Sequence, residues 1–570
     1  MFDELTNSTE DVTGASPIPP PDKSLQKFEK LRAYAKRGKI PWRRVSAWKR
    51  EDLCNSQLLT PYDVGERNGI AFPLRAHRFV TKRDFQDSLK QRFLADISDA
   101  SIRRLKATMP EYSASSSLSL LQKALVLSLV FLFAWALINF PVTTLVVLNT
   151  GVTAYFLLAI FYRIILLGVG GKSPVASAQL QVHNIQTLPV ITVLLPLYRD
   201  ADSLVSLMRS INRLDYPSEK KDVKLLLEED DVETIAEAKR LGLADQFDLV
   251  MIPEGGPRTK PKACNYGMHL ARGDLIVIYD AEDQPEPDQL LKAARAFENA
   301  DPSLACVQAR LNYYNHSENW LTRLFTLEYS LWFDWLLPAL QKLNVPIPLG
   351  GTSNFFRTDT LIKIGGWDPY NVTEDADLGL RISKLGHRVE ILDSTTFEEA
   401  NCRVGNWIRQ RSRWMKGYMQ TWLVHMRRPD KIIATTGWKG LLSVQLFIAG
   451  NVLSALINPV LWAVFVFWLL TSSPVISAFF PEPLLSFNLF ALTFGNLFFM
   501  TLAIIAPLKR RWFHLCLAGV TAPAYWLLTS VAAYKALWQI IFQPHYWEKT
   551  DHVISEMAIA RREEALREAK

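Results

Sequence analysis

Apolar positions along this chain fall into long uncharged blocks separated by one extended polar region. Residues 124–140 and 143–161 carry no charge, and each approaches the ~20 residues that cross a bilayer as a helix. Further uncharged runs occupy about 441–471, 485–507 and 513–534. The pattern predicts a polytopic membrane protein. Between the second block and residue 440 the rhythm changes. The runs 190–198, 223–230, 247–253 and 274–283 read as buried strands that end in polar or acidic residues, and 202–214 has helical periodicity. Strands alternating with helices predict an α/β unit with a mainly parallel sheet, which binds ligands beyond the carboxyl ends of its strands.

Within that unit, Trp320, Leu324, Leu327, Leu331 and Trp335 lie on one helical face, with Asn319, Thr322, Arg323, Thr326, Ser330 and Asp334 between them. Residues 319–341 are therefore expected as an amphipathic helix lying in the membrane interface, with packing into the domain core as the alternative. Trp407, Trp414 and Trp422 mark a second interfacial helix.

Charge sets the expected topology. Positions 23–50 hold eleven Lys or Arg and one acid, Glu29, which places this stretch in the cytosol, against anionic headgroups or simply solvated. Two spans then return the chain to the cytosol, so the polar unit is cytosolic. A signal peptide is not expected, because the first apolar block comes only after more than a hundred mostly polar residues. Loop 472–484 lacks Lys and Arg and should face outside, and "LKRRW" (508–512) should face inside. A single span over 513–542 would strand the charged C-terminus outside, unless that block re-enters or forms a helix pair around Pro523. The +7 formal charge comes largely from the N-terminal stretch, and no aromatic-interleaved basic pattern points to nucleic acid. The five cysteines are scattered, without metal spacing. "GVGGKS" (168–173) ends like a phosphate loop, but Leu166 occupies the first glycine position, and the segment reads as a membrane-exit linker.

Four polar clusters carry candidate chemistry. "YDAEDQPEP" gathers Asp280, Glu282 and Asp283 at a strand end, where oxygen ligands suit a hard divalent cation. "RTKPKACNYG" brings Arg258, Lys260 and Lys262 to a helix start, which favours phosphate. "NVTEDADLGLRI" sets Thr373 as an N-cap with Glu374 and Asp375 behind it, and one of these acids can act as a general base. "IRQRSRWMKG" places Gln410, Arg411, Arg413 and Trp414 just before a membrane region. Alone, each cluster reads equally well as a solvated turn, a helix start or an interface anchor. Their order along one chain is the stronger signal.

In that order the chain resembles the processive membrane glycosyltransferases of family 2, the group of cellulose, hyaluronan and chitin synthases, over roughly residues 189–425 and into the flanking spans. The family's D-x-D is similar to Asp280-Ala281-Glu282, which leaves Glu282 or Asp283 to join Asp280 at the metal. Its T-E-D matches Thr373-Glu374-Asp375, which implies Asp375 as catalytic base. Its Q-x-x-R-W matches Gln410 to Trp414. By the resemblance, Tyr198 lies near the uracil, Glu229 or Asp230 is the acid after the second strand, and Lys262 lies near the diphosphate. Gln410, Arg411 and Arg413 contact the donor and Trp414 stacks on the acceptor. "HYWEKTDH" (545–552) resembles a gating segment, with Trp547 and Lys549 at the diphosphate.

The implied architecture is a GT-A-type cytosolic α/β domain (189–435) joined to an α-helical transmembrane channel (119–170 and 438–542) with interfacial helices. A basic N-terminal region (1–118) and a tail (543–570) complete it. The implied activity is inverting polymerisation of glucose from UDP-glucose, with Mg²⁺ or Mn²⁺, into a β-glucan exported across the bacterial inner membrane. Its partners would be the nucleotide sugar, the growing polysaccharide and the lipid bilayer, with an outer-envelope export partner and cyclic-di-GMP control as further expectations and one chain per channel. Poly-N-acetylglucosamine or mannan synthesis, lipid-linked transfer and a non-catalytic scaffold are the alternatives.

Overall fold

A computed structural model describes residues 94–116, 118–171, 187–298, 300–548 and 555–568. The chain divides into two compact units, Met1–Pro110 and Glu111–Lys570. The described part of the first unit is mainly one helix, Leu94–Thr108. The basic stretch 23–50 and most of the expected small N-terminal domain lie outside the described residues.

In the second unit eight strands form one sheet: β1 (Ile191–Leu197), β2 (Lys221–Glu228), β3 (Asp248–Ile252), β4 (Leu275–Ile278), β5 (Gln284–Pro285), β6 (Leu304–Tyr313), β7 (Asn354–Arg357) and β8 (Arg388–Glu398). Their spatial order is β3-β2-β1-β4-β7-β6-β8-β5. The four strand runs read from the sequence are β1 to β4, and these pair in parallel. Both faces of β1 and β2 are covered, which is why they read as near-continuous apolar runs. Beyond β4 the sheet is mixed, because β7 runs antiparallel to both β4 and β6. Chain order reverses between β1 and β4, the position where open α/β sheets bind ligands.

The helices follow in chain order. α1 (Leu120–Asn139) and α2 (Pro141–Gly170) form the first apolar pair, and Ser119 and Gln122 close a reciprocal capping box at the start of α1. α3 (Lys260–Leu270), α4 (Trp320–Tyr329), α5 (Glu374–Lys384) and α6 (Val404–His425) belong to the α/β unit. α7 (Gly450–Thr471), α8 (Leu484–Ile505) and α9 (Ala522–Phe542) complete a helical bundle. Among the described residues five helices are long and apolar enough to cross a membrane. They turn large apolar side chains outward, such as Leu120 (84% exposed) and Leu470 (79%), a surface that water disfavours.

Three membrane-proximal expectations resolve into particular contacts. The uncharged run 441–471 stays helical throughout, and the chain kinks just ahead of it at Gly437, whose φ of 70° and ψ of −176° interrupt the helix and separate a short leading piece from the span. The amphipathic 319–341 segment takes the alternative course and packs inside: Leu321, Leu324 and Phe325 are buried with Trp407, Leu515 and Tyr525. The block 513–542 bends at Thr521, where a 3-10 stretch (Phe513–Thr521) gives way to α9 with Pro523 in its first turn. α9 then lies along α6, with Tyr525 against Trp407 near one end and the Gln543 carbonyl against Lys416 near the other. The tail is thereby returned to the α/β unit.

A side chain at Gly437 would be forced into the left-handed region. Gly437→Ala is expected to cost about 1–2 kcal/mol and to lower the Tm in detergent, measured by differential scanning fluorimetry; an unchanged Tm would place the bend elsewhere.

Candidate active site

Four structural levels converge on one cavity of about 670 Å³. The carboxyl ends of β1, β2, β4 and β8 supply Tyr198, Glu228, Asp280, Glu282 and Glu398. The N-terminus of α5 supplies Thr373, Glu374 and Asp375, and α6 supplies Gln410, Arg411, Arg413 and Trp414. The tail supplies Trp547.

The turn after β4 explains how its acids are presented. Asp283 folds back: its Oδ2 accepts the Asp280 N–H at 2.7 Å and the Thr352 hydroxyl. It is 1% exposed, and burial, reinforced by Asp280 and Glu282, holds its carboxyl well above the usual range. Asp283 therefore braces the turn instead of facing the cavity, which leaves Asp280 and Glu282 as the forward acids. Among the described residues no group of three His, Cys, Asp or Glu side chains is arranged to hold a metal. The Asp280 carboxylate is paired with the Lys260 ammonium, which also donates to the Gly351 carbonyl at 2.8 Å. A cationic group beside two forward carboxylates is the charge arrangement that a divalent cation would complete, so Asp280 and Glu282 fit that role.

Asp375 sits one residue into α5, where its Oδ1 accepts the Ala376 N–H at 2.8 Å. A Cβ on Gly351 would lie 3.4 Å from Asp375 Oδ2 and 4.0 Å from the Lys260 ammonium, so the Gly350–Gly351 loop forms the wall facing both groups. Burial pushes the Asp375 carboxyl up to about 6 and the Glu374 carboxyl up to about 8, the latter also through its neighbour Asp375. Thr373 occupies the N-cap position without capping. Its N–H donates to Asn371 and its hydroxyl faces Thr421 at 3.4 Å. The reason is α6: a Cβ on Gly417 would overlap the Thr373 side chain, so the two helices meet there.

The cations divide between framework and cavity. Lys262 is fully buried and spends its ammonium on Glu228 at 3.1 Å and on the carbonyls of Pro253 and Gly255. It points into the domain, and Lys260 is the lysine that lines the cavity. Along β2 the acid at the cavity is Glu228; Glu229 is exposed, and Asp230 pairs with Arg258 at 2.6 Å. Arg411 is likewise committed. It grips Glu328 through two bonds of 2.7 and 2.5 Å, with Tyr525 accepting at 2.9 Å, and lies 4.9 Å beneath the Trp414 ring. It anchors Trp414, while Arg413 faces the carboxylates of Glu374, Asp280, Asp375 and Glu282. Gln410 accepts from Asn401 at 2.8 Å.

The tail is fixed at the cavity by α6. Lys416 donates to the Tyr546 carbonyl at 2.5 Å, Gln420 to Pro544 at 2.7 Å, and Arg413 to Glu548 at 3.1 Å while stacking over Trp547 at 5.0 Å. Lys549 lies outside the described residues. Glu398, Glu328, Gly351 and Gly417 escaped sequence reasoning. "TTFEEA" and "GGTS" offer no spacing rule, although a glycine three residues after the tryptophan of "RWMKG" was a sign of close helix contact.

A second cavity of about 910 Å³ lies inside the bundle, lined by α2, α7, α8 and α9. Arg163, Asn451, Phe499, Trp526 and Thr529 line both cavities, so the two adjoin at a common waist.

Residues 275–543 match the family described as glycosyl transferase family group 2. Just under half of the chain is thus similar to family 2 glycosyltransferases, and the fold is a mixed α/β sheet domain joined to helices long and apolar enough to cross a membrane. It is 24% identical to the "Probable glycosyltransferase YdaM" of Bacillus subtilis over 41% of this chain and 56% of that one. It is 27% identical to a "Beta-monoglucosyldiacylglycerol synthase" of Trichormus variabilis over 42% and 50%, and 26% identical to a "Probable glucomannan 4-beta-mannosyltransferase 10" of Arabidopsis thaliana over 41% and 43%. The chain thus spans about half the length of the curated relatives it matches. A mannosyltransferase from Pyrobaculum calidifontis, solved with GDP-Man and Mn²⁺, aligns over 70% of this chain and 99% of that one at 18% identity and a TM-score of 0.45.

Carboxyls raised by folding favour the protonated state, so their contribution is present at low pH and is lost as pH rises. For Glu374 that window runs from 4.5 to about 8, and for Asp375 from 3.8 to about 6. The Tm of the protein without divalent cation is expected to fall from pH 5 to pH 8, and Glu374→Gln to flatten that slope and to be the more stable form at pH 8. A wild-type Tm that rises over this range would contradict the burial of these acids.

Proposed function

We propose that the chain is a processive inverting β-glycosyltransferase that polymerises glucose from UDP-glucose and moves the β-glucan through the helical bundle of a bacterial inner membrane. The observation that carries this reading is the shared waist: the cavity holding Asp375 has five lining residues in common with a second cavity among helices long enough to span a bilayer. An enzyme that released its product to the cytosol has no use for that continuation.

In this reading Asp375 removes the proton from the acceptor hydroxyl, and its raised carboxyl suits a base working near neutral pH. The freed oxygen attacks the anomeric carbon, the bond to the phosphate oxygen breaks, nucleoside diphosphate departs and configuration inverts. Asp280 and Glu282 would hold a Mg²⁺ or Mn²⁺ ion, which when bound neutralises the leaving diphosphate. Lys260 and Arg413 add positive charge from the protein, and Trp547 closes the donor side. Tyr198 lies at the β1 end, where a nucleobase would stack. Trp414, held by Arg411 beside Tyr329, offers the acceptor sugar an aromatic face on the path toward the waist.

A second reading draws on one relative's printed name: transfer of a single glucose to diacylglycerol. Product size separates the two.

With a panel of labelled UDP-sugars and GDP-mannose in nanodiscs, wild type is expected to make high-molecular-mass, β-glucanase-sensitive product from UDP-glucose. Asp375→Asn should lower the rate by roughly 10²–10⁴. The kcat/KM should fall on the acid side through about pH 6 as Asp375 takes up a proton. Product from GDP-mannose alone would change the polymer, and a single-sugar lipid product would overturn the processive reading.

A further inference from the structure

The waist between the two cavities contains a charge that the transfer chemistry does not use. α2 spans thirty residues and has one ionisable cation or acid among them, Arg163. Its guanidinium turns into the bundle, donates to Asn451 Oδ1 at 2.8 Å and lies 4.8 Å from the Phe447 ring. Among the described residues no carboxylate lies within ion-pair distance of it. A charge inside a membrane bundle is costly and persists where it has a task.

The surroundings indicate which task. The bundle cavity is otherwise uncharged among the described residues: Asn458, Asn488, Asn496, Ser454 and Thr153 supply its polar groups, amid aromatic and aliphatic side chains. The cavity on the other side of the waist is rich in carboxylates, Asp280, Glu282, Glu374, Asp375 and Glu398 among them. Such a cavity concentrates cations at one mouth of a polar passage. A synthase without polymer in its passage would then admit cations to the cytosol, down the membrane potential.

We propose that Arg163 is an electrostatic barrier that keeps the idle passage closed to cations. One fixed positive charge at a narrow, low-dielectric waist repels a second far more strongly than it would in water. A neutral glycan feels no such repulsion. Its hydroxyls can accept from the guanidinium and the C–H faces of its sugar rings can pack on Trp526, so the barrier to ions is also a contact for polymer. The inference rests on the reading of the two cavities as a polymer route.

The test uses the full chain in proteoliposomes without nucleotide sugar, with passage of K⁺ and of Cl⁻ followed by trapped ion-sensitive dyes. Wild type and Arg163→Lys are expected to hold K⁺ as well as protein-free vesicles do. Arg163→Gln should raise K⁺ passage on the order of tenfold or more, without an equal rise for Cl⁻. An Arg163→Gln protein as tight as wild type overturns the proposal, and so does equal leakage of both ions, which would mean that side-chain bulk and not charge forms the seal. A second measurement needs no variant: residual passage through wild type should favour Cl⁻, and a cation preference overturns the barrier. Polymer trapped in the lumen after UDP-glucose addition is scored separately. A leak in Arg163→Gln without lumenal polymer keeps the barrier and removes the translocation reading, and lumenal polymer without a leak does the reverse.

Discussion

The α/β half of this molecule is arranged around carboxylates crowded into one half-buried cavity. Asp280, Glu282, Glu374, Asp375 and Glu398 line one cavity, and each raises the cost of ionising the others. The protein offsets that cost with Lys260 and Arg413 and with the N–H groups at the start of α5. What remains uncompensated is an affinity for positive charge, which a bound divalent cation would satisfy. The same excess makes the cavity attractive to any cation, and so gives meaning to a guanidinium at its exit.

A second constraint is mechanical. α6 touches every working part: Gly417 on Thr373, Arg411 on Glu328 and Tyr525, and Lys416 and Gln420 on the tail. Because Arg411 is held by a bidentate carboxylate and a phenol, Trp414 has a fixed seat in the cavity wall. One helix thus ties the start of α5, the Trp414 ring and the tail to the helical bundle. A shift of α9 would be felt at all three.

Much of this was legible in the chain. Uncharged blocks gave the membrane helices, since a bilayer demands length and apolarity and little else. Buried runs gave β1 to β4, and the order of short polar motifs located the cavity. Misplaced residues share one cause: a motif gives order, not direction. Lys260 and Lys262 are two apart on a helix start, so one faces the cavity and the other the sheet. Glu228, Glu229 and Asp230 are adjacent, and only the point where β2 ends decides which of them lines the site. Asp283 and Arg411 look like ligands on paper but find partners in Thr352 and Glu328, far away in sequence. The amphipathic 319–341 segment has the period of an interfacial helix, and the residues that cover it, such as Leu515 and Tyr525, come almost two hundred positions later.

On the proposed function, a chain stays bound from one sugar addition to the next because the polymer leaves the site only through the bundle while its growing end stays beside Asp375. The most direct measurement is the size distribution of product at the earliest times, with less than a few per cent of UDP-glucose consumed and acceptor in excess over enzyme. Processive retention predicts long chains from the first moments, with their number and not their length growing as the reaction proceeds. A ladder of short products that lengthen together would contradict it, and would make the second cavity something other than a path for polymer.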